Sequence, residues 1–248
     1  MAKLRHIAFI SPEPIKLYEY YHHLFGLEQV RVSPAGSVHV IDGLFNLAFL
    51  AQQAMASDMV NTHRADGHEL DQSTGIAHYG FTVDHLQDLF DNLDESIKQG
   101  ESPQNGRPAE MRIVDPWGNA VDVSSRGFLG REERHLPGIR HVVIQSSDPD
   151  AACAFYREKF ALDQVSAGPD GVTLLTDGDM SIRIQEDEAI GKPGIQYFGV
   201  QVDDWEATRA RFKELGEELG DPPAPGEERM MTDPEGNPFA VSPRSWLG

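Results

Sequence analysis

The sequence predicts an α+β protein built by tandem duplication. Three observations carry that prediction: four sequence blocks recur in one order, a strand–helix–strand rhythm recurs with them, and a charged stretch ending in Pro-Gly separates the copies. Leu4 to Ile10 (LRHIAFI) returns as Ile139 to Gln145 (IRHVVIQ), and Tyr20 to Val30 returns as Phe155 to Val165, both at an offset of 135. Gly75 to Asp84 (GIAHYGFTVD) returns as Gly194 to Asp203 (GIQYFGVQVD) at 119, and DPWGN at 115–119 returns as DPEGN at 233–237 at 118. Self-similarity at a fixed spacing is the signature of a repeated structural unit. The expected division is 1–126, a linker at 127–137, and 138–248.

Each element has a local reason. Leu4, His6, Ala8 and Ile10 alternate with Arg5, Ile7 and Phe9, the period of a strand covered on both faces. Pro14 to Phe25 reads as a helix, with proline at its start, Ile15, Leu17, Tyr18, Tyr21, Leu24 and Phe25 on one face, and Gly26 ending it. Short strands follow at 29–32, 37–41 and 44–50. The next unit repeats the order: a strand at 76–83, a helix from Leu86 to Gln99 stopped by Gly100, and a hairpin of 111–114 and 120–124. DPWGN turns that hairpin, with proline setting φ and glycine able to take a positive φ. Four such units place helices on one side of curved mixed sheets.

The two main offsets differ by 16 residues, all gained by the first half within Ala51 to Thr74. That polar segment contains Met55, His63, Arg64 and His68 and is read either as a surface insertion or, preferably, as a lid.

Composition bounds the function. Apolar residues are 40% and charged residues 25% of 248, which fits a folded globular chain. A net charge of −19 repels phosphate backbones and anionic lipid, arguing against nucleic-acid and membrane partners. No apolar run reaches the ~18 residues of a membrane span. The lone cysteine, Cys153, excludes an internal disulfide framework and reads as a small packed residue. A cytoplasmic monomer or homodimer acting on a small molecule is expected.

A first-strand histidine, a helix closing in F-G-L or F-A-L, the G-I-x-H-x-G-F-x-V-D strand and the DPxGN hairpin resemble the vicinal oxygen chelate superfamily. That superfamily includes glyoxalases, resistance proteins, epimerases and extradiol dioxygenases. The resemblance implies tandem domains, each of two βαβββ units forming a cup around a divalent metal. It places ligands at His6, His78 and Asp122 in the first half. The matching positions in the second half are His141, Tyr197 and Ala240, which do not make a full set. If units pair within a half, His6 completes the triad; if they pair across halves, His141 does.

A single strand histidine is more often a hydrogen-bonded structural residue than a ligand. Three ligand types at three aligned positions raise the metal reading above that one. Two imidazoles and a carboxylate can take one face of an octahedral ion and leave the rest for substrate and water or dioxygen. Asn46 lies near where some relatives supply a fourth ligand. His39 is a candidate acid or base and Arg112 a candidate for steering an anionic substrate, each with a structural alternative.

Three functions follow from the resemblance. The first is an Fe(II) extradiol-type dioxygenase acting on a catechol-like ring, although Glu101 to Val114 lacks the histidine and tyrosine such enzymes carry there. The second is a glyoxalase- or epimerase-type isomerase or lyase using Mn, Zn, Ni or Co. The third is a non-catalytic binding or resistance protein.

Overall fold

The computed structural model describes residues 1–53, 75–94, 97, 109–165, 173–186 and 194–244. The first half runs β1 (Lys3–Ser11), α1 (Pro14–Phe25), β2 (Glu28–Val32), β3 (Val38–Ile41), β4 (Asn46–Ala51), β5 (Gly75–Thr82), α2 (Leu86–Asn92), β6 (Met111–Val114) and β7 (Ala120–Ser124). The second runs β8 (Gly138–Gln145), α3 (Pro149–Phe160), β9 (Asp163–Val165), β10 (Leu174–Thr176), β11 (Ser181–Gln185), β12 (Gly194–Gln201), α4 (Trp205–Glu214), β13 (Arg229–Thr232) and β14 (Pro238–Ser242). Among the described residues the strands form two seven-stranded sheets, ordered β2-β3-β4-β1-β5-β7-β6 and β13-β14-β12-β8-β11-β10-β9. The architecture is the expected α+β duplication, with units paired inside each half.

Alternation along the strands separates two surfaces of each sheet. In the first sheet Ile7, Phe9, Leu47, Phe49, Tyr79, Phe81, Val121 and Val123 face the helices and enter the core. His6, Asn46, His78, Arg112 and Asp122 occupy intervening positions and are buried on the other face. The core is shared: Phe9 and Tyr21 each meet Phe198 at 5.9 Å, and Phe81 packs on Phe160 at 4.5 Å. Each half therefore lends its first helix to the other half's wall.

Two polar devices, each present twice, lock that arrangement. The Arg5 guanidinium meets Asp177 at 3.0 Å while the Leu4 N–H donates to the same carboxylate at 2.7 Å. The counterpart is Arg140 on Asp42 at 3.1 Å, with the Ile139 N–H at 2.6 Å. Both carboxylates are fully buried, so each needs its donors to offset desolvation. The second device is the DPxGN turn. The Asp115 carboxylate accepts from the N–H groups of Trp117 and Asn119 and from the Asn119 amide, and Tyr156 of the other half donates to it at 2.6 Å. Asp233 repeats this with Glu235, Asn237 and Tyr21, the last at 3.0 Å. Gly118 and Gly236 take φ of 90° and 85°, which favours glycine.

One element departs from expectation. The second helix ends at Asn92 rather than Gln99: Leu93 is extended at φ −86°, ψ 143°, and the Asn92 amide bonds back to the Asp88 carbonyl at 2.7 Å. Asparagine competes for backbone groups and weakens a helix end. The expected lid at 51–74 lies largely outside the described residues, as does Gly100.

Candidate metal centre

Three neighbouring strands of the first sheet build the site. β1 pairs antiparallel with β5, setting His6 opposite Gly80 and Ala8 opposite His78; β5 pairs parallel with β7, setting Gly80 beside Asp122. His6, His78 and Asp122 thus lie on one face of adjacent strands, buried, with one potential ligand atom from each within 4.8 Å of the others. His141 belongs to β8 in the other sheet, so His6 is the histidine that stands with His78 and Asp122.

The spacing suits a single ion. Donors about 2.1 Å from a metal lie roughly 3 Å apart when adjacent and ~4.2 Å apart when opposite. His78 Nε2 lies 3.3 Å from Asp122 Oδ2, within that span.

The protonation pattern also suits one. Asn46 donates its amide nitrogen to the carbonyls of Val40 at 2.9 Å and Leu47 at 3.3 Å, which orients its Oδ1 as the acceptor for His6 Nδ1 at 2.7 Å. His6 therefore carries its proton on Nδ1 and presents the Nε2 lone pair. Burial first, then the neighbouring His78, lowers the His6 pKa to about 3, so the imidazole is neutral. Burial pushes Asp122 upward, but Arg112 and His78 outweigh it and hold the carboxyl well below the ordinary range. A neutral imidazole and a fixed carboxylate are the forms that bind metal.

The other candidate residues among those described each have a definite place, whereas Met55, His63, Arg64 and His68 lie outside the described residues. Arg112, on β6, is buried; its Nε meets Asp122 Oδ1 at 2.5 Å and its Nη2 meets Oδ2 at 3.0 Å. That fork is a buried clamp on a candidate ligand, rather than a surface pair or an anion receptor turned to solvent. Asn46 supports His6 through its oxygen. His39 lies on β3 opposite Ala48, half-buried, and near enough for its charge to depress His6 further. Tyr79 points to the opposite side of the sheet, as alternation requires, and its hydroxyl bonds that of Tyr156.

Phe128 was invisible to sequence reasoning because it falls in the stretch read as a linker. Its ring stacks on His6 with centroids 4.8 Å apart and planes within 5°. Gly80 makes room for it: a Cβ there would lie 2.7 Å from Phe128 Cζ. A glycine opposite the first-strand histidine was the available clue.

The second half carries a different set. His141 Nε2 lies 2.8 Å from Glu228 Oε1, and the Tyr197 hydroxyl donates to Glu228 Oε2 at 3.3 Å. Ser181 replaces Asn46 beside the histidine.

Comparison with known proteins agrees with this architecture. Residues 141–242 match the family described as a glyoxalase-like domain. No characterised protein sequence matches the chain significantly. The Mn(II)-bound glyoxalase from Novosphingobium aromaticivorans aligns over 99% of this chain and 84% of its own, with a TM-score of 0.70 and 15% identity. The 2,3-dioxygenase LapB from Pseudomonas sp. KL28 aligns over 98% and 96%, with a TM-score of 0.65 and 14% identity. Homoprotocatechuate 2,3-dioxygenase from Brevibacterium fuscum, in complex with 3,4-dihydroxyphenylacetate, aligns over 96% and 79%, with a TM-score of 0.65 and 11% identity. At such identities the likeness is one of fold. Among the described residues no helix is long and apolar enough to cross a membrane. Residues 141–242 are thus similar to a glyoxalase-like domain, and the duplicated chain as a whole shares its fold with these glyoxalase and dioxygenase structures.

Proposed function

We propose that the chain is an Fe(II)-dependent extradiol-type dioxygenase that opens the ring of a small catechol-like substrate, with His6, His78 and Asp122 as the metal ligands. The observation that carries this reading is the withdrawal of Asn46. Its Oδ1 is committed to His6 and its amide nitrogen to two carbonyls, so the neighbouring position supplies no fourth ligand. Two histidines and one carboxylate on one face leave the opposite face open, the arrangement that Fe(II) oxygenases use. When bound, Fe(II) would bring a chelating diol and dioxygen together.

The protein's own groups have separable tasks. Asn46 holds the His6 tautomer and ring direction, and Arg112 holds the Asp122 carboxylate in one orientation. We assign His39, close enough to the cluster for its charge to act on His6, as the group that accepts a proton from a substrate hydroxyl. It takes the part of the acid–base residues absent upstream of the DPWGN turn.

A second reading, an isomerase or lyase stabilising an enediolate on Mn, Zn, Ni or Co, is favoured by His39 as well, because that chemistry needs one base beside the ion. Oxygen uptake separates the two. Protein loaded anaerobically with Fe(II) is expected to consume about one O₂ per catechol and yield a yellow ring-opened product. No uptake across a catechol panel, with isomerisation of hemithioacetals or 2-oxo acyl substrates on Mn or Ni, would replace the first reading with the second.

A further inference from the structure

The stretch between the sheets also shapes the site. After β7 the chain turns back across the first sheet: the Arg126 N–H donates to Ser124 Oγ at 3.1 Å and the Arg131 N–H donates to the Gly43 carbonyl at 2.7 Å. Arg131 forks onto Glu28 with two bonds of 2.6 Å, and Glu132 accepts from Arg5 at 3.3–3.4 Å. Gly130 packs so closely on the Leu44 carbonyl that a side chain there would collide with it. Both flanks of Phe128 are therefore pinned, and its ring, 2% exposed, is driven against His6.

We infer that Phe128 is a positioning residue for the metal centre, setting the plane of the His6 ring and hence the direction of its Nε2 lone pair. The Asn46 bond fixes one edge of the imidazole but leaves the ring free to pivot about that bond. A parallel ring at stacking distance removes the pivot, and the planes differ by 5°. Gly80 is the other half of the device, because it alone leaves the volume that the Phe128 ring fills. The second half shows what happens without it. The space over Gly199 is filled by the His141 ring itself, and that histidine points to Glu228. The bracing also gives the second half a task, since Arg5 is gripped by Asp177 and Asp179 while it holds Glu132. Strand β1 and the segment bearing Phe128 are thereby tied together from the far side.

This inference rests on the metal reading, and the test separates them. Co(II) is titrated into metal-free wild type, Phe128→Leu, Gly80→Ala and, as a control, Phe160→Leu, a buried aromatic on the helix side of the sheet. The readouts are the dissociation constant and the visible d–d spectrum of the folded fraction. Phe128→Leu keeps apolar volume but loses the plane, and Gly80→Ala pushes the ring away from the opposite side. Both are expected to weaken Co(II) about 10- to 100-fold, the usual effect of removing a group that orients a ligand, and to alter the spectrum. Phe160→Leu is expected to do neither. If Phe128→Leu fails to fold, Gly80→Ala carries the test alone. Wild-type affinity and spectrum in the folded variants would overturn the inference and leave the metal reading intact. No Co(II) binding by wild type would overturn both.

Discussion

His6 and His141 occupy the same position of a repeated unit, yet they are held in different surroundings. His6 is fixed by Asn46 on one edge and by Phe128 on its face, with His78 and Asp122 before it. His141 has Ser181 beside it, lies over Gly199, and pairs with Glu228. Around these two histidines the scaffold is nearly identical. The Arg5–Asp177 and Arg140–Asp42 bridges correspond, as do the Tyr156–Asp115 and Tyr21–Asp233 bonds. The contrast teaches that the residues which hold the duplicated sheets together are separable from those which build the cup. The scaffold set is kept twice and the candidate ligand set once.

That separation can be broken by experiment, and the largest effect should come from the ligands. His78→Ala and Asp122→Ala should each weaken metal binding by more than the ~100-fold upper end of orienting-group effects and abolish turnover, while circular dichroism stays native. His141→Ala should leave metal affinity within about twofold. A metal-binding loss in His141→Ala equal to that in His78→Ala would erase the distinction between the halves.

Next come the scaffold pairs. Asp42→Ala leaves the buried Arg140 without its carboxylate partner and is expected to cost about 3–5 kcal/mol in urea unfolding, whereas Asp177→Ala should cost less because Arg5 keeps Asp179 at 2.6 Å. A cost below ~1 kcal/mol for only one would show that the pseudo-symmetric lock bears weight on a single side.

Acid should distinguish the halves in the metal-free protein. His6 is held neutral to about pH 3 in the fold, whereas the unfolded chain takes a proton near its ordinary value of 6.5. Its folded pKa is depressed, so its full contribution is present above the unfolded value of 6.5 and is lost as pH falls from there towards about 3. The slope approaches ~1.4 kcal/mol per pH unit from this group. His6→Asn should flatten that part of the stability curve, and an unchanged slope would contradict the electrostatics drawn for the cup. The smallest effects are those of the tyrosine hydroxyls. Tyr21→Phe should cost about 1–2 kcal/mol, and Tyr156→Phe somewhat more because its hydroxyl also meets Tyr79.

Much of the scaffold was legible because its signals are local or repeated. The recurring blocks gave the duplication, strand alternation placed Tyr79 opposite His78, and Asp, Pro and Gly announced the hairpin turns. What stayed illegible depended on pairing across space. His6 and His141 are the same residue type in matched strands, and only the sheet order decides which stands beside His78. Arg112 has no sequence feature that names Asp122 as its partner, so steering and clamping read alike. Asn46 looks like a ligand until the donors on its amide are seen. Phe128 sits among charged and glycine residues with no periodicity, and its role appears only when the chain folds back over Gly80. The apolar pattern continues past Asn92, but the backbone turns extended at Leu93, so the second helix is shorter than that pattern predicts.

The most direct test is the metal content of protein purified without oxygen or chelator, measured for wild type, His78→Ala and His141→Ala together. The account predicts about one divalent ion per chain in wild type and His141→Ala, and almost none in His78→Ala. Stoichiometric metal in His78→Ala, or none in wild type even after reconstitution with Fe(II), Mn(II) and Zn(II), would contradict the assignment of the first cup as the metal centre.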